Sequence, residues 1–160
     1  MSTNDPQQAP TDFDFILGDW TVRHEKLDGI FSSAATWTTF DGRSSTRSIL
    51  GGFGNLEDNI LQHPAGDFRA AALRSYSAAD AEWSIWWLDG RNPTALDTPV
   101  RGAFADGIGT FLAEDVLHGV PIRVRFIWDA TGGEPTWQQA FSNDAGLSWE
   151  TNWRMTFRRA

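Results

Sequence analysis

The chain has no cysteine, which excludes disulfides, thiolate nucleophiles and cysteine-held metals. Lysine is almost missing too: Lys26 stands alone, and the other twelve cations are arginine. The formal net charge of −8 has the wrong sign for a nucleic-acid binder, because a phosphate backbone is gripped by positive charge. No apolar run approaches the ~20 residues needed to span a bilayer. The opening residues 1–11 are polar and rich in Pro and Gln, with neither the cationic start nor the apolar centre of a secretory signal. They are expected to form a disordered leader ahead of one domain over 12–160, and a soluble cytoplasmic location is the default. The chain also lacks a G-x-S-x-G elbow, a P-loop, a dinucleotide fingerprint and an H-E-x-x-H pair, so the common hydrolase, kinase and oxidoreductase signatures are missing.

What is abundant is aromatic. Nine Trp and eleven Phe accompany a single Tyr in 160 residues that are 41% apolar. Stiff flat rings in such number suit a β-barrel or β-sandwich interior, or the wall of a cavity for an apolar ligand. The run Thr136–Phe157 shows the pattern best. Two β-rich segments flank Ser142-Asn143-Asp144-Ala145-Gly146-Leu147-Ser148, which reads as a hairpin. Alternation predicts Trp149, Thr151, Trp153, Met155 and Phe157 on a buried face, with Glu150, Asn152, Arg154, Thr156 and Arg158 opposite.

Strands of this kind recur every 8–12 residues, punctuated by Gly, Pro and Asp. One short helical turn at 12–17, with Asp12 as its cap, precedes a strand opening at Trp20. Asp41-Gly42 reads as a turn between two strands, giving ten or eleven strands in all. A meander this long removes its edges by closing into an up-and-down antiparallel barrel, with a Greek-key sandwich as the alternative. A barrel of this strand number leaves room for a guest.

Gly18-Asp19-Trp20, after a helical turn and at the start of the first strand, is similar to the G-x-W signature of lipocalin-like (calycin) barrels. Further segments extend the match: Leu50-Gly-Gly-Phe-Gly-Asn55, Trp83-Ser-Ile-Trp-Trp-Leu-Asp-Gly-Arg91, Gly107-Ile-Gly-Thr-Phe111, Pro121-Ile-Arg-Val-Arg-Phe126 and Trp137-Gln-Gln-Ala-Phe-Ser142. Together they resemble a bacterial domain-of-unknown-function family, number 1579, over about Asp12 to Arg158. The resemblance implies a lipocalin-like barrel with a small-molecule cavity and supplies no catalytic residues. It also implies a closed end sealed by Gly18 and Trp20, with Arg154 or Arg158 packed across the indole. Fatty-acid-binding proteins fit less well, since about five residues separate the first two strands where that group has a helical lid. Nitrobindin-like haem barrels use a His near the C-terminus, and the histidines here are His24, His63 and His118, so no cofactor is expected.

Candidate site residues follow from which faces turn inward. His24 shares a face with Trp20, so it is either a structural histidine or, near neutral pH, a proton carrier or ligand anchor. Asn55, Glu57 and Asn59 share a polar face that reads most simply as solvated; turned inward, Glu57 becomes a candidate base. Arg74 and Tyr76 sit on a face with Ala70 and Ala72 and can hold a carboxylate if inside, or form a surface ion pair if outside. Gln139 falls between Trp137 and Phe141 and needs a buried partner. Trp86 or Trp87, with Trp153, would supply walls. His63 and His118 lie beside Pro in loops, so no metal site is expected. Ser142 to Trp149 matches an Asp-box, which here reads as a hairpin device rather than a sialidase mark. The preferred expectation is a protein binding a small apolar or amphipathic molecule in the barrel cavity. The alternatives are a cofactor-independent isomerase, cyclase or hydrolase using His24 or Glu57, and a module that self-associates, leaving monomer and homodimer both open.

Overall fold

The structure, a computed structural model, describes residues 8–160. Residues 1–7 of the expected leader lie outside the described residues; of the remainder, Ala9 lies against Gly52. Ten antiparallel strands close into a barrel in sequence order: β1 (Gly18–Asp28), β2 (Thr36–Ile49), β3 (Gly54–Leu61), β4 (Phe68–Ser77), β5 (Glu82–Asp89), β6 (Val100–Ala105), β7 (Ile108–Leu117), β8 (Val120–Asp129), β9 (Thr136–Ser142) and β10 (Glu150–Arg159). β1 pairs with both β2 and β10, which removes the edges an open sheet would expose. The up-and-down barrel expected from the spacing is therefore the architecture, and the sandwich is not.

Asp41-Gly42 does not turn the chain. β2 runs straight through it, with Asp41 opposite Arg23 and Gly42 opposite Val22, so there are ten strands and not eleven. The glycine is there for space: a Cβ at Gly42 would lie 2.6 Å from the Ile60 carbonyl oxygen and 2.9 Å from His24 Nε2. An inward histidine on β1 thus requires a bare backbone on β2.

The closed end is plugged by the chain entering it. A 3-10 turn at Asp14–Ile16 has no side-chain cap. Asp12 instead accepts a hydrogen bond from Trp83 Nε1 at 3.0 Å. Phe13 inserts edge-on against Trp83 and Phe104, each at 4.9 Å. Trp20 is buried and its Nε1–H donates to the Ile16 carbonyl at 2.8 Å. The arginine across the indole is Arg159, 3.8 Å from the ring centroid and donating to the Leu17 carbonyl. Arg154 and Arg158 do not fill that role. Both lie on the outer face, Arg154 over Trp37 and Arg158 paired with Glu134 at 3.0 Å. Period-two alternation decides this: Arg159 is two residues beyond the inward Phe157, and the other two are out of phase with it.

At the other end, a register shift between Thr151 and Trp153 breaks the alternation of β10, so that Asn152 and Trp153 are both buried. Trp149, expected on the buried face, packs outside under the Arg125 guanidinium at 4.5 Å. The hairpin before it is held by its own side chains. The Gly146 and Ser148 amides donate to Ser142 Oγ at 2.8 Å and Asp144 Oδ1 at 2.9 Å. Hydrogen bonds from the Ser148 and Ser142 hydroxyls, and then from the Ser148 amide, hold the Asp144 carboxyl down at about 2.

Candidate functional site

The inward faces divide the lumen into two unlike walls. On β2, β3 and β4 the buried inward residues include Ser44, Thr46, Asn55, Glu57, Asn59 and Arg74. On β5 through β10 they are mainly apolar, and the largest are the rings of Trp83, Phe111, Trp128, Trp137, Trp153 and Phe157.

The polar wall is knit together by its own bonds. Arg74 donates from Nη1 to Asn55 Oδ1 at 2.8 Å and from Nη2 to Glu57 Oε1 at 3.2 Å. Asn59 Nδ2 donates to Glu57 Oε2 at 3.1 Å. Both ion-pair side chains are only 2% exposed, so the pair sits in the interior and not on the surface. The polar face of β3 is thus inside the barrel. The guanidinium also lies 5.0 Å from the Phe13 ring and 5.2 Å from the Trp128 ring, which favours the cation further. Among the described residues, Ser44 Oγ, Thr46 Oγ1 and Arg74 Nε have no hydrogen-bond partner.

Between the walls little space remains. The inner cavity touching Glu57, Arg74, Trp128 and Met155 has a volume of about 20 Å³, room for roughly one water. The expected deep cavity is therefore largely filled by side chains. The larger space lies at the mouth, a cup of about 380 Å³ touching Trp87, Phe126, Trp137 and Trp153. Trp87, Phe126 and Trp137 touch both spaces and so form the partition between them.

Polar groups ring the cup. Gln139 Nε2 donates to Asn152 Oδ1 at 2.8 Å, which supplies the partner that an amide on an aromatic face requires. Asn152 Nδ2 is buried and has no partner among the described residues. Lys26 lies half-buried on the inward face of β1, its ammonium 4.3 Å from the Trp153 ring centroid. Burial, then the neighbouring Arg91 charge, lowers its pKa, against the opposing pull of Asp89 and Asp28. Asp97 also borders the cup, and burial, Asp115 and Asp89 push its carboxyl up.

One side of the cup is not sheet. β6 pairs with β5 only from Trp83 to Ile85, and the rest of β5 is covered by the segment 90–99. That segment is tied by the Asp97 amide donating to the Trp87 carbonyl at 3.0 Å and by a bridge between Leu88 and Leu96.

The expected site residues are scattered over these regions. Trp87, Gln139 and Trp153 line the cup. Asn55, Glu57 and Arg74 form the buried network beneath. Tyr76 packs on Trp83 at 5.2 Å, toward the closed end. Trp86 supplies no wall. It alternates with the inward Ile85 and Trp87 and pairs opposite Leu73 on the outer side of the barrel. His24 is 1% exposed, stacked on Phe40 at 4.8 Å, and its Nδ1 accepts from Trp153 Nε1 at 3.1 Å. Burial and the Lys26 charge lower its pKa to about 4, so it is neutral near pH 7 and carries its proton on Nε2. Its role in this geometry is to aim Trp153.

Lys26, Asn152 and Asp97 are site residues that the sequence reading misses. For Lys26 the signal is present, since it continues the Trp20–Val22–His24 alternation. Asn152 enters through the β10 bulge, which alternation does not show. No protein-family model matches the chain, and no curated protein matches it.

Proposed function

We propose that the mouth cup binds a small amphipathic molecule with a flat apolar body and an oxygen acceptor at one end. The observation that carries this reading is Asn152 Nδ2, a buried donor without a partner among the described residues, at the edge of a 380 Å³ cup floored by tryptophan. A buried unpaired donor is costly, and a guest oxygen would satisfy it. The volume lies at the low end of the range for small-molecule sites. Lys26 adds a second donor, and Trp87, Trp137 and Trp153 offer faces and edges to a planar body. The family resemblance, with its lipocalin-like cavity, and the cytoplasmic location expected from the sequence belong to the same proposal.

The enzyme alternative finds less support. Neither His24 nor Glu57 lines the cup, His24 Nδ1 is occupied by Trp153, and both Glu57 oxygens accept bonds from within the wall.

Titrating the protein with cinnamate, indole-3-acetate and decanoate while following tryptophan fluorescence tests the reading. A saturable change is expected, and Asn152→Ala should weaken it about tenfold, the loss of roughly one hydrogen bond. A folded protein that responds to none of the three would overturn the proposal.

A further inference from the structure

The chain's single lysine occupies an unusual position. Lys26 follows Trp20, Val22 and His24 along the inward face of β1, and this places its amine in the cup rather than in water. Among the described residues no carboxylate lies within ion-pair distance of Nζ, whose close neighbour is the Trp153 indole. The charged groups that act on it are Asp28 on its own strand and the Asp89–Arg91 pair across the mouth. Asp89 is itself engaged by Arg91 at 2.7 Å, which limits its help to the ammonium.

We propose that Lys26 is a covalent capture site for an aldehyde attached to an apolar or aromatic body, held as a reversible imine. The proposal rests on the cup being a ligand site. The neutral amine adds to the aldehyde carbon, its nitrogen proton passes to the oxygen, and a carbinolamine forms. Loss of that hydroxyl as water gives R–CH=N–Lys26, and addition of water reverses the step. No oxidant or reductant is needed.

Three features of the cup suit this chemistry. Burial and Arg91 favour the unprotonated amine, the nucleophilic form, although the Trp153 face works against them. Asp97, whose carboxyl is pushed up by burial, borders the same space and can supply the proton that carbinolamine dehydration needs. Asn152 Nδ2 can hold the aldehyde oxygen before attack. The aromatic floor keeps the bound body oriented toward the amine.

The test uses the full-length protein with cinnamaldehyde as probe, trapped by cyanoborohydride and read by intact mass and peptide mapping. Lys26 should carry one reduced adduct and form it at least about tenfold faster than N-acetyl-lysine amide, a small part of the gain that holding amine and aldehyde together in one cup can give. The α-amine is the internal competitor, and Lys26→Arg should lose only the internal adduct. Cinnamyl alcohol, followed by fluorescence, separates the two proposals. If the alcohol binds but Lys26 reacts no faster than the free amide, covalent capture is overturned and the cup stands. If neither probe engages, both fall.

Discussion

The two walls of the lumen solve the same problem in opposite ways. β2 to β4 bury charge and amides and satisfy most of them within the wall, across β3 and β4 through Arg74 with Asn55 and Glu57, and along β3 through Asn59 with Glu57. β5 to β10 bury rings, which fill space by edge and face contacts and need a partner only for an indole N–H, as Trp83 finds in Asp12 and Trp153 in His24. The polar wall therefore fixes geometry and the aromatic wall fixes volume. Where the two meet at the mouth, the donors of Lys26 and Asn152 are left over, and the candidate site lies there.

The most direct way to break this contrast is to remove half of the buried ion pair. Arg74→Ala or Glu57→Ala should each cost about 3–5 kcal/mol, because the remaining charge is stranded. The double change Arg74→Met with Glu57→Leu should recover most of that loss in denaturant unfolding. Single variants as stable as the parent would show that the polar wall does not depend on the pair.

The next effect is one of pH. His24 has a folded pKa of about 4 against an ordinary 6.5, so the unfolded chain binds the proton more readily. Its contribution is present above about pH 6.5 and is lost as the pH falls toward 4, a difference of about 3 kcal/mol. His24→Phe should flatten the stability profile over that window. A profile of unchanged slope would refute the neutral, buried assignment.

Gly42→Ala comes third. Its Cβ would meet the Ile60 carbonyl and His24, and overpacking of this kind costs about 1–3 kcal/mol. The Trp153 emission spectrum should shift as well, since the histidine that orients it is displaced; a silent substitution would mean the backbone yields freely. Smallest should be Arg23→Ala, which removes an exposed pair with Asp41 at 3.0 Å. The expected loss is below about 1 kcal/mol by thermal unfolding. A larger loss would mean that the outer surface, and not only the lumen, holds the barrel together.

Much of the barrel is legible in the sequence because its strands are short, regularly spaced and punctuated. The sense of the β3 face is not. Asn55, Glu57 and Asn59 look solvated in isolation, and the reason they are inside is Arg74, which arrives on the next strand. Asp41-Gly42 carries a turn signal locally, yet the glycine answers a contact with β1. The β10 bulge shifts the face of Asn152 without any mark that alternation could read, and the sealing arginine lies one residue past Arg158.

Residues 90–99 replace a stave of the barrel with a strap. Arg91 and Asn92 are tied to Asp89, but beyond them one amide bond and one bridge hold the strap against β5, so its local opening is expected to take less free energy than that of a strand paired along its length. A local opening of that kind would leave the other strand pairs zipped, and a guest broader than the rim could then enter from the side without unfolding its host.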